Sequence, residues 1–497
     1  MSEFLSANMA ETTQNVPGKS KAELNSLPLS VLESTTDDQY EVILDASESP
    51  KNMATAHKWT IASVTETGVV EDLHTVEEVS ILGDSLFVEG LGLGPLLVGP
   101  LSEVYGRNPI YRFSYFFFWV FTWPVAFPPN IATYLVFRFL SGFLSSAFLS
   151  VAGGSVGDLF VNEKVATPMA VYTLSPFIGP VLDPIAAGFI CQNTNRRWAY
   201  RVLLIWQFVT FMLLIVLVPE TYEPVLRKTK AARVHKETGD EKYWAPLDRR
   251  ERSLFQSILF NCYTPFKLIL LDRMALLLDL CDGLMPCYQT ALLLGILYLA
   301  FQAFPIIFGN VHGFNLEDSG LAFIGIGVGF VFALASQPLW NRFNRRMMIK
   351  YEGKPPPETR LVVGQVGGIL APIGLFWLAF TTYKGVPWIV PIIASIPFGA
   401  GMYFIFTSVF TYLVIAYRPI AASAMTSNAA LRCSFAAAFP LFANAMYDRL
   451  GTVGSTALLG DLTTLMAPLP FIYHKIGATL RAKSPFAAKP GKGLSSR

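Results

Sequence analysis

Residues 90–112 read GLGLGPLLVGPLSEVYGRNPIYR, and this stretch decides the fold. Its first part is apolar and rich in glycine, and a short charged turn with Glu103, Gly106 and Arg107 follows before the next apolar run. Small residues allow helices to approach closely in lipid. The stretch therefore predicts two membrane helices joined by a tight cytosolic turn. Because Glu103 and Arg107 are four residues apart, they can pair with each other or with residues on neighbouring helices.

The composition of the whole chain also indicates a membrane protein. Of its 497 residues, 52% are hydrophobic and only 15% are charged. Apolar runs of about twenty residues recur, which is the length that a helix needs to cross a bilayer. The five cysteines are scattered and lack the spacing of a metal site. The formal net charge of +2 points to no particular partner, and no nucleic acid is expected.

Hydropathy divides the chain into five segments. Residues 1–76 are predicted to be a disordered acidic tail that ends in the remnant of a first helix at 57–64, which is too short to span. Two transmembrane bundles are expected at 77–220 and 268–476, with a cytosolic central loop at 221–267 and a basic cytosolic tail at 477–497. The eleven expected spans are 79–101, 111–127, 132–157, 167–190, 198–218, 268–309, 316–338, 361–383, 386–412, 420–446 and 454–473.

Basic residues set the expected orientation, because loops rich in Lys and Arg stay in the cytosol. The loop at 227–267 carries ten such residues and the loop at 341–360 carries six, whereas 308–320 carries none. The two basic loops are therefore predicted to be cytosolic. With the first helix missing, five spans precede the central loop, and this count places the acidic tail outside.

Several motifs together resemble the major facilitator superfamily, in particular the twelve-helix group of fungal drug:proton antiporters. The turn at 99–109 resembles the loop between the family's helices 2 and 3. Two further matches are LVFRFLSGF at 135–143 and SPFIGPVLDPIAAGF at 175–189, which is similar to the antiporter signature of helix 5. Others are PETYEPVL at 219–226, GILYLAFQAFP at 295–305, NRFNRR at 341–346 and GKPPPETRL at 353–361. Within the group, the chain is most similar to polyamine, azole and toxin exporters. The implied fold is all-α, with two pseudo-symmetric bundles.

The resemblance assigns proton coupling to Arg138, which lies inside a predicted span. A charge in the bilayer is costly unless it is paired or hydrated, so Arg138 is expected to face the bundle interior. There Arg138 can favour the charged form of a neighbouring carboxylate in one state of the transport cycle and lose its contact with that carboxylate in the other state. The alternative is a structural arginine bonded to backbone carbonyls. Glu89 is the candidate partner acid, for which a functional and an accidental role are equally open, and Asp84 is expected at the membrane interface.

Two further groups of residues follow from the resemblance. Glu103, Arg107 and Asp158 resemble a cytosolic gate that holds the outward-facing state, and the alternative is an ordinary solvated loop. The helix 5 motif is expected to let one half rock against the other, as alternating access requires. Its residues are Gly179, Pro180, Asp183, Pro184 and Gly188.

Three departures from the family pattern bear on activity. The family's first helix is essentially missing, and residues 281–290 interrupt the seventh. Asp183 and Ala187 stand where the helix 5 signature has glycine. A charged residue at a packing position adds bulk and a charge that is costly to bury.

The leading functional hypothesis is a proton-coupled antiporter that exports small amphipathic or cationic compounds, such as drugs, toxins or polyamines. The alternative is a non-transporting membrane sensor or an inactive truncated relative. An enzyme is not expected, because the chain lacks a paired His/Glu metal motif, a Gly-x-Ser-x-Gly elbow and a phosphate-binding G-x-x-x-x-G-K-[ST] loop. No catalytic residue, metal or cofactor is predicted. The expected setting is a monomer in the plasma membrane, with the vacuolar membrane as the alternative.

Overall fold

The computed structural model describes residues 77–159, 166–194, 197–238, 285–352, 355–416 and 421–483. The predictions for the acidic tail, the remnant of the first helix, most of the central loop and the start of the seventh helix lie outside these residues. The described helices divide into two units. One contains the helix at 223–238, and the other contains all the remaining described helices.

The described part of the first half is helical. Six long helices and a polar helix from the central loop follow one another along the chain: α1 Glu77–Tyr105, α2 Arg107–Ala126, α3 Ile131–Ser145, α4 Ala147–Leu159, α5 Ala166–Asn193, α6 Arg197–Leu217 and α7 Glu223–Thr238. α3 and α4 are nearly continuous and together make one span, Ile131–Val156. The Asn130 side chain accepts a hydrogen bond from the backbone N–H of Thr133, which caps the start of α3.

The second half contains nine described helices. They are α8 Met285–Phe304, α9 Leu316–Leu321, α10 Ile324–Ala335, α11 Gln337–Lys350, α12 Leu361–Ala379, α13 Ile389–Ala416, α14 Ala421–Ala438, α15 Ala443–Met466 and α16 Leu469–Lys483. α8 continues as a π-helical segment at Pro305–Val311, and α9 to α11 together make one span. The described part of this half is therefore helical as well.

The described residues contain nine runs that are long and apolar enough to cross a membrane. The last of these runs, Ala424–Thr479, has 56 residues, which is too long for a single crossing. Gly451 divides it, because a φ of 69° is incompatible with a continuous helix. α2 is not among the nine because Arg112 and its Tyr and Trp residues lower its mean hydropathy, although its 20 residues suffice to span. With α2 and the divided last run, the described residues contain eleven spans, the number predicted, and residues 268–284 of the predicted span 268–309 lie outside them.

Glycines allow α1 and α3 to pack backbone against backbone. A Cβ atom at Gly94 would overlap the carbonyl oxygen of Phe143, and one at Gly142 would overlap that of Phe87. Side chains larger than hydrogen would force these helices apart. The glycine-rich stretch that begins at residue 90 therefore forms a close helix contact with α3, not with the α2 helix that follows the turn.

Among the helix pairs that join the halves of the chain, two pack especially closely. α1 packs against α14, where a Cβ at Gly92 would lie 2.6 Å from the Cβ of Cys433. α5 packs against α9, where a Cβ at Gly188 would lie 2.6 Å from the carbonyl oxygen of Leu316. The largest buried cluster of apolar side chains combines Phe177 and Val181 of α5 with helices of the second half.

Candidate functional site

Arg138 of α3 forms an ion pair with Asp84 of α1. The distance from Arg138 Nη2 to Asp84 Oδ1 is 2.9 Å, and the arginine side chain is only 3% exposed. The arginine therefore faces the bundle interior, as predicted. Its partner is Asp84 and not the expected Glu89, because Asp84 was predicted to lie at the membrane interface. The periodicity of α1 places both acids in a span, but only the packed helices show which one reaches α3.

Tyr134 completes this group from one turn earlier on α3. Its hydroxyl accepts a hydrogen bond from Arg138 Nε at 3.2 Å, and the guanidinium carbon lies 5.3 Å from the centre of its ring. Tyr134 is itself fully buried and packs against Gly83 of α1. An aspartate, an arginine and a tyrosine thus form a buried polar group between α1 and α3.

Glu89 lies between the two halves of the chain instead of beside Arg138. Its Oε1 accepts a hydrogen bond from the hydroxyl of Ser434 on α14 at 3.1 Å. Among the described residues, Glu89 forms no ion pair with Arg138. The structure therefore does not bring the two predicted coupling residues together.

Gly106 forms the tight turn between α1 and α2 with a φ of 98°, a conformation that L side chains rarely adopt. A Cβ at this position would also lie 2.5 Å from the Glu220 carboxylate. Glu220 Oε1 accepts the backbone N–H of Arg107 at 2.9 Å, and Oε2 accepts that of Asn108 at 3.0 Å. The acid therefore caps the positive end of α2 from a distant part of the chain.

The side chain of Arg107 forms further contacts next to this capped turn. Its Nη1 donates to the Ser102 hydroxyl at 2.6 Å, and its guanidinium carbon lies 4.7 Å from the centre of the Tyr222 ring. Ser102 in turn donates to the carbonyl oxygen of Gly99 at 2.6 Å. The sequence identifies PETYEPVL at 219–226 only as a family motif, and no role is predicted for Glu220. An acid just after a span was the signal that could have identified it.

The other predicted gate residues stand at helix ends. Glu103 lies in the last turn of α1 and Asp158 near the end of α4. Their side chains lie outside the described part of the structure, so the gate that they would form with Arg107 stays a prediction. Gly154 of α4 does approach Arg107, because a Cβ at Gly154 would lie 3.1 Å from Arg107 Nη2.

We expect Arg107→Ala and Glu220→Gln to open the cytosolic end of the first half. Each variant removes a hydrogen bond that involves a charged group, worth about 1.5–3 kcal/mol. A cysteine introduced as Leu101→Cys should then react faster with a membrane-impermeant thiol reagent in inside-out vesicles. Glu223→Gln is the matched control, because Glu223 forms an exposed pair with Arg227 four residues away. Unchanged reactivity and unchanged transport in both variants would show that the turn is only a connector.

The helix 5 motif lies on α5, against the second half. Pro184 and Gly188 face α9, where a Cβ at Gly320 would overlap the Pro184 carbonyl oxygen. Asp183 is 7% exposed and lies within electrostatic range of Tyr298 on α8. α5 includes Pro180 and stays helical over 28 residues. A close backbone approach between α5 and α9 is therefore present at the Pro184–Gly188 end of this motif.

A cavity of about 370 Å³ lies beside this contact. It lies where α5, α8 and α9 meet, at the end of the bundle that is predicted to face outside. Its polar lining residues are Gln192, Gln302, Asn315 and Ser319. The cavity is suited to small molecules with both polar and apolar parts.

Arg432 of α14 is an intramembrane charge that the sequence analysis does not identify. It is 4% exposed, and its guanidinium carbon lies 4.9 Å from the centre of the Phe410 ring. A single arginine inside a predicted span, as for Arg138, was the available signal.

Two helical halves that meet through glycine contacts, with charged groups buried between membrane spans, define a two-bundle membrane transport protein. The chain belongs to the Major Facilitator Superfamily, whose sequence pattern matches residues 53–440. It is a multi-pass membrane protein, and the plasma membrane is its predicted location.

Curated relatives and a solved structure agree with this assignment. The chain is 44% identical to "Efflux pump atB" of Aspergillus terreus over 449 residues, which are 89% of this chain and 88% of that protein. It is 39% identical to "Probable drug/proton antiporter YHK8" of Saccharomyces cerevisiae over 466 residues, 90% and 89% of the two chains. The proton:xylose symporter XylE shares the fold, with a TM-score of 0.56 and 15% identity over 84% of this chain and 92% of that one.

Proposed function

We propose that this chain exports small amphipathic compounds in exchange for protons, acting as a monomer in the plasma membrane. The observation that carries the proposal is the buried Asp84–Arg138 ion pair, because titratable groups held inside a membrane bundle mark proton or substrate pathways. The names of the relatives, an efflux pump and a probable drug/proton antiporter, support the direction of transport and the proton coupling. Drugs, toxins and polyamines are the cargo classes that the sequence resemblance adds.

Protonation of Asp84 would neutralise the partner of Arg138. The guanidinium would then lose its strongest attraction to α1, and the balance between two arrangements of α1 and α3 would change. A proton that enters from one side and leaves on the other would in this way drive the cycle. The chain's own contribution is to hold the acid and the arginine together away from lipid.

Glu89 would connect the two halves. Its hydrogen bond to Ser434 crosses from α1 to α14, so it must break or rearrange when residues 77–220 and 268–476 rock against each other. The hydroxyl of Ser434 donates this hydrogen bond to Oε1 of the carboxylate. Glu89 is therefore the second proposed proton-coupling residue.

Efflux from vesicles tests the proposal directly. We expect an imposed pH gradient to drive efflux of a neutral amphipathic dye, and a protonophore that collapses the gradient should stop it. Glu89→Gln should fold but lose the dependence of efflux on the gradient, because the amide cannot exchange a proton. Ser434→Ala is the matched control, since it removes the hydrogen bond to Glu89 and leaves the acid in place.

Two outcomes would contradict the proposal in different ways. Efflux that survives collapse of the gradient would exclude proton coupling. Binding of the dye without any movement across the membrane would favour the hypothesis of a non-transporting sensor. The buried Asp183 in the helix 5 motif is the observation that supports this alternative.

A further inference from the structure

Arg138 and Arg432 are both buried inside spans, and they differ in their partners. Arg138 has the carboxylate of Asp84 at 2.9 Å. Among the described residues, no carboxylate lies within ion-pair distance of Arg432, and its Nε is buried without a hydrogen-bond partner. Glu89 approaches α14 nearby, but it accepts its hydrogen bond from Ser434. Within the part of the chain that the structure describes, Arg432 is therefore a buried cation without a paired anion.

Arg432 lies where the two halves meet. The ring of Phe410, on α13, lies under its guanidinium, and the thiol of Cys433 beside it is only a weak acceptor. Tyr172 of α5 and Tyr298 of α8 are within electrostatic range. Residues from both halves thus surround the guanidinium. A substrate held between the halves can reach such a position.

Asn428 adds a second unsatisfied group on the same face of α14. It is fully buried, and its Nδ2 donates to the Thr290 hydroxyl at 2.8 Å. Its Oδ1 is buried without a hydrogen-bond partner. Residues four apart are neighbours on a helix surface, separated by about 6 Å along the axis. A cation that needs an anion and an acceptor that needs a donor therefore lie one turn apart.

Buried charges and buried polar groups are costly unless they are paired. The planar guanidinium of arginine matches a carboxylate through parallel N–H···O bonds. We propose that Arg432 and Asn428 form a binding site for a small organic acid, with its carboxylate on Arg432 and a hydrogen-bond donor on Asn428. This inference rests on the export function proposed above and names its substrate class. A polyamine would be repelled at this position.

Three matched probes test the site on the full purified chain. 4-Hydroxybenzoate carries a carboxylate and a donor at opposite ends of its ring, 4-hydroxybenzamide lacks the charge, and benzoate lacks the donor. We expect the unmodified chain to bind 4-hydroxybenzoate at least about tenfold more tightly than 4-hydroxybenzamide, the factor typical of a charge-assisted contact. Equal affinities, or no measurable binding of 4-hydroxybenzoate, would overturn the proposal without any variant.

Variants then locate the contact. Arg432→Gln should remove the preference for the acid over the amide, and Arg432→Lys should keep part of it, because lysine retains the charge and loses the planar fork. Asn428→Ala should remove the preference for 4-hydroxybenzoate over benzoate. Arg449→Gln is the control, since it removes the same charge from an exposed position on α15. An unchanged preference in Arg432→Gln would overturn the assignment.

The binding test is separate from transport. If the dye is exported and the probes bind equally, the substrate class is wrong and the export function stands. If the acid preference depends on Arg432 and no gradient-driven export is seen, the site is supported and the export function is wrong.

Discussion

Arg138→Lys is expected to leave the protein in the membrane and to abolish proton-driven efflux. Lysine keeps the positive charge next to Asp84, so the buried acid is not left without a partner. It cannot place donors at the positions of both Nη2, which pairs with Asp84, and Nε, which donates to Tyr134, because its single ammonium nitrogen lacks the planar fork. If the geometry of the three residues sets the coupling, a conservative change should reduce efflux to the rate of vesicles without protein.

Arg112→Lys is the matched control for this substitution. Arg112 lies on α2, is exposed, and donates from Nη2 to the carbonyl oxygen of Ile215 at 3.0 Å. The same chemical change there should leave efflux close to that of the unmodified chain. Normal gradient-driven efflux by Arg138→Lys would refute the coupling role.

Removal of the acid tests the ion pair from the other side. Asp84→Asn leaves Arg138 buried and unpaired, and such a change in a buried pair typically costs about 3–5 kcal/mol. The double variant Asp84→Asn with Arg138→Gln removes both charges and should be more stable than Asp84→Asn alone. Thermal unfolding of the four proteins of this cycle would measure the coupling. Additive effects would show that the two residues act independently.

The second large effect is expected at the contact between α1 and α3. Gly94→Ala places a methyl group against the carbonyl oxygen of Phe143 and the side chain of Ser146. The backbone cannot move away without separating the two helices, and overpacking of this kind costs about 1–3 kcal/mol, or more. We expect less folded protein in the membrane and a lower unfolding temperature, which fluorescence size-exclusion chromatography after heating would measure.

Gly99→Ala is the control on the same helix. A Cβ at this position would meet only the Thr426 hydroxyl, at 3.7 Å, which is an ordinary contact. The variant should therefore fold as well as the unmodified chain. If Gly94→Ala is also tolerated, the close packing of α1 against α3 is not required for folding.

The sequence by itself determined the fold class, the spans and the family. Apolar runs of spanning length, glycines at helix contacts and the distribution of Lys and Arg are properties of local composition, and each can be read along one segment. The turn at Gly106 and the burial of Arg138 follow in the same way. A charge in the middle of an apolar run must avoid lipid wherever the other helices lie.

The tertiary structure alone decided which groups meet. Asp84 and Glu89 lie on the same helix, yet only Asp84 pairs with Arg138, because the rotation of α1 against α3 selects one face. Glu220 reaches the backbone of Arg107 across 113 residues of sequence. The packed helices leave Arg432 Nε and Asn428 Oδ1 buried without hydrogen-bond partners, which the sequence does not show. Pairing depends on the relative rotation and position of helices far apart in the chain, and no single segment encodes it.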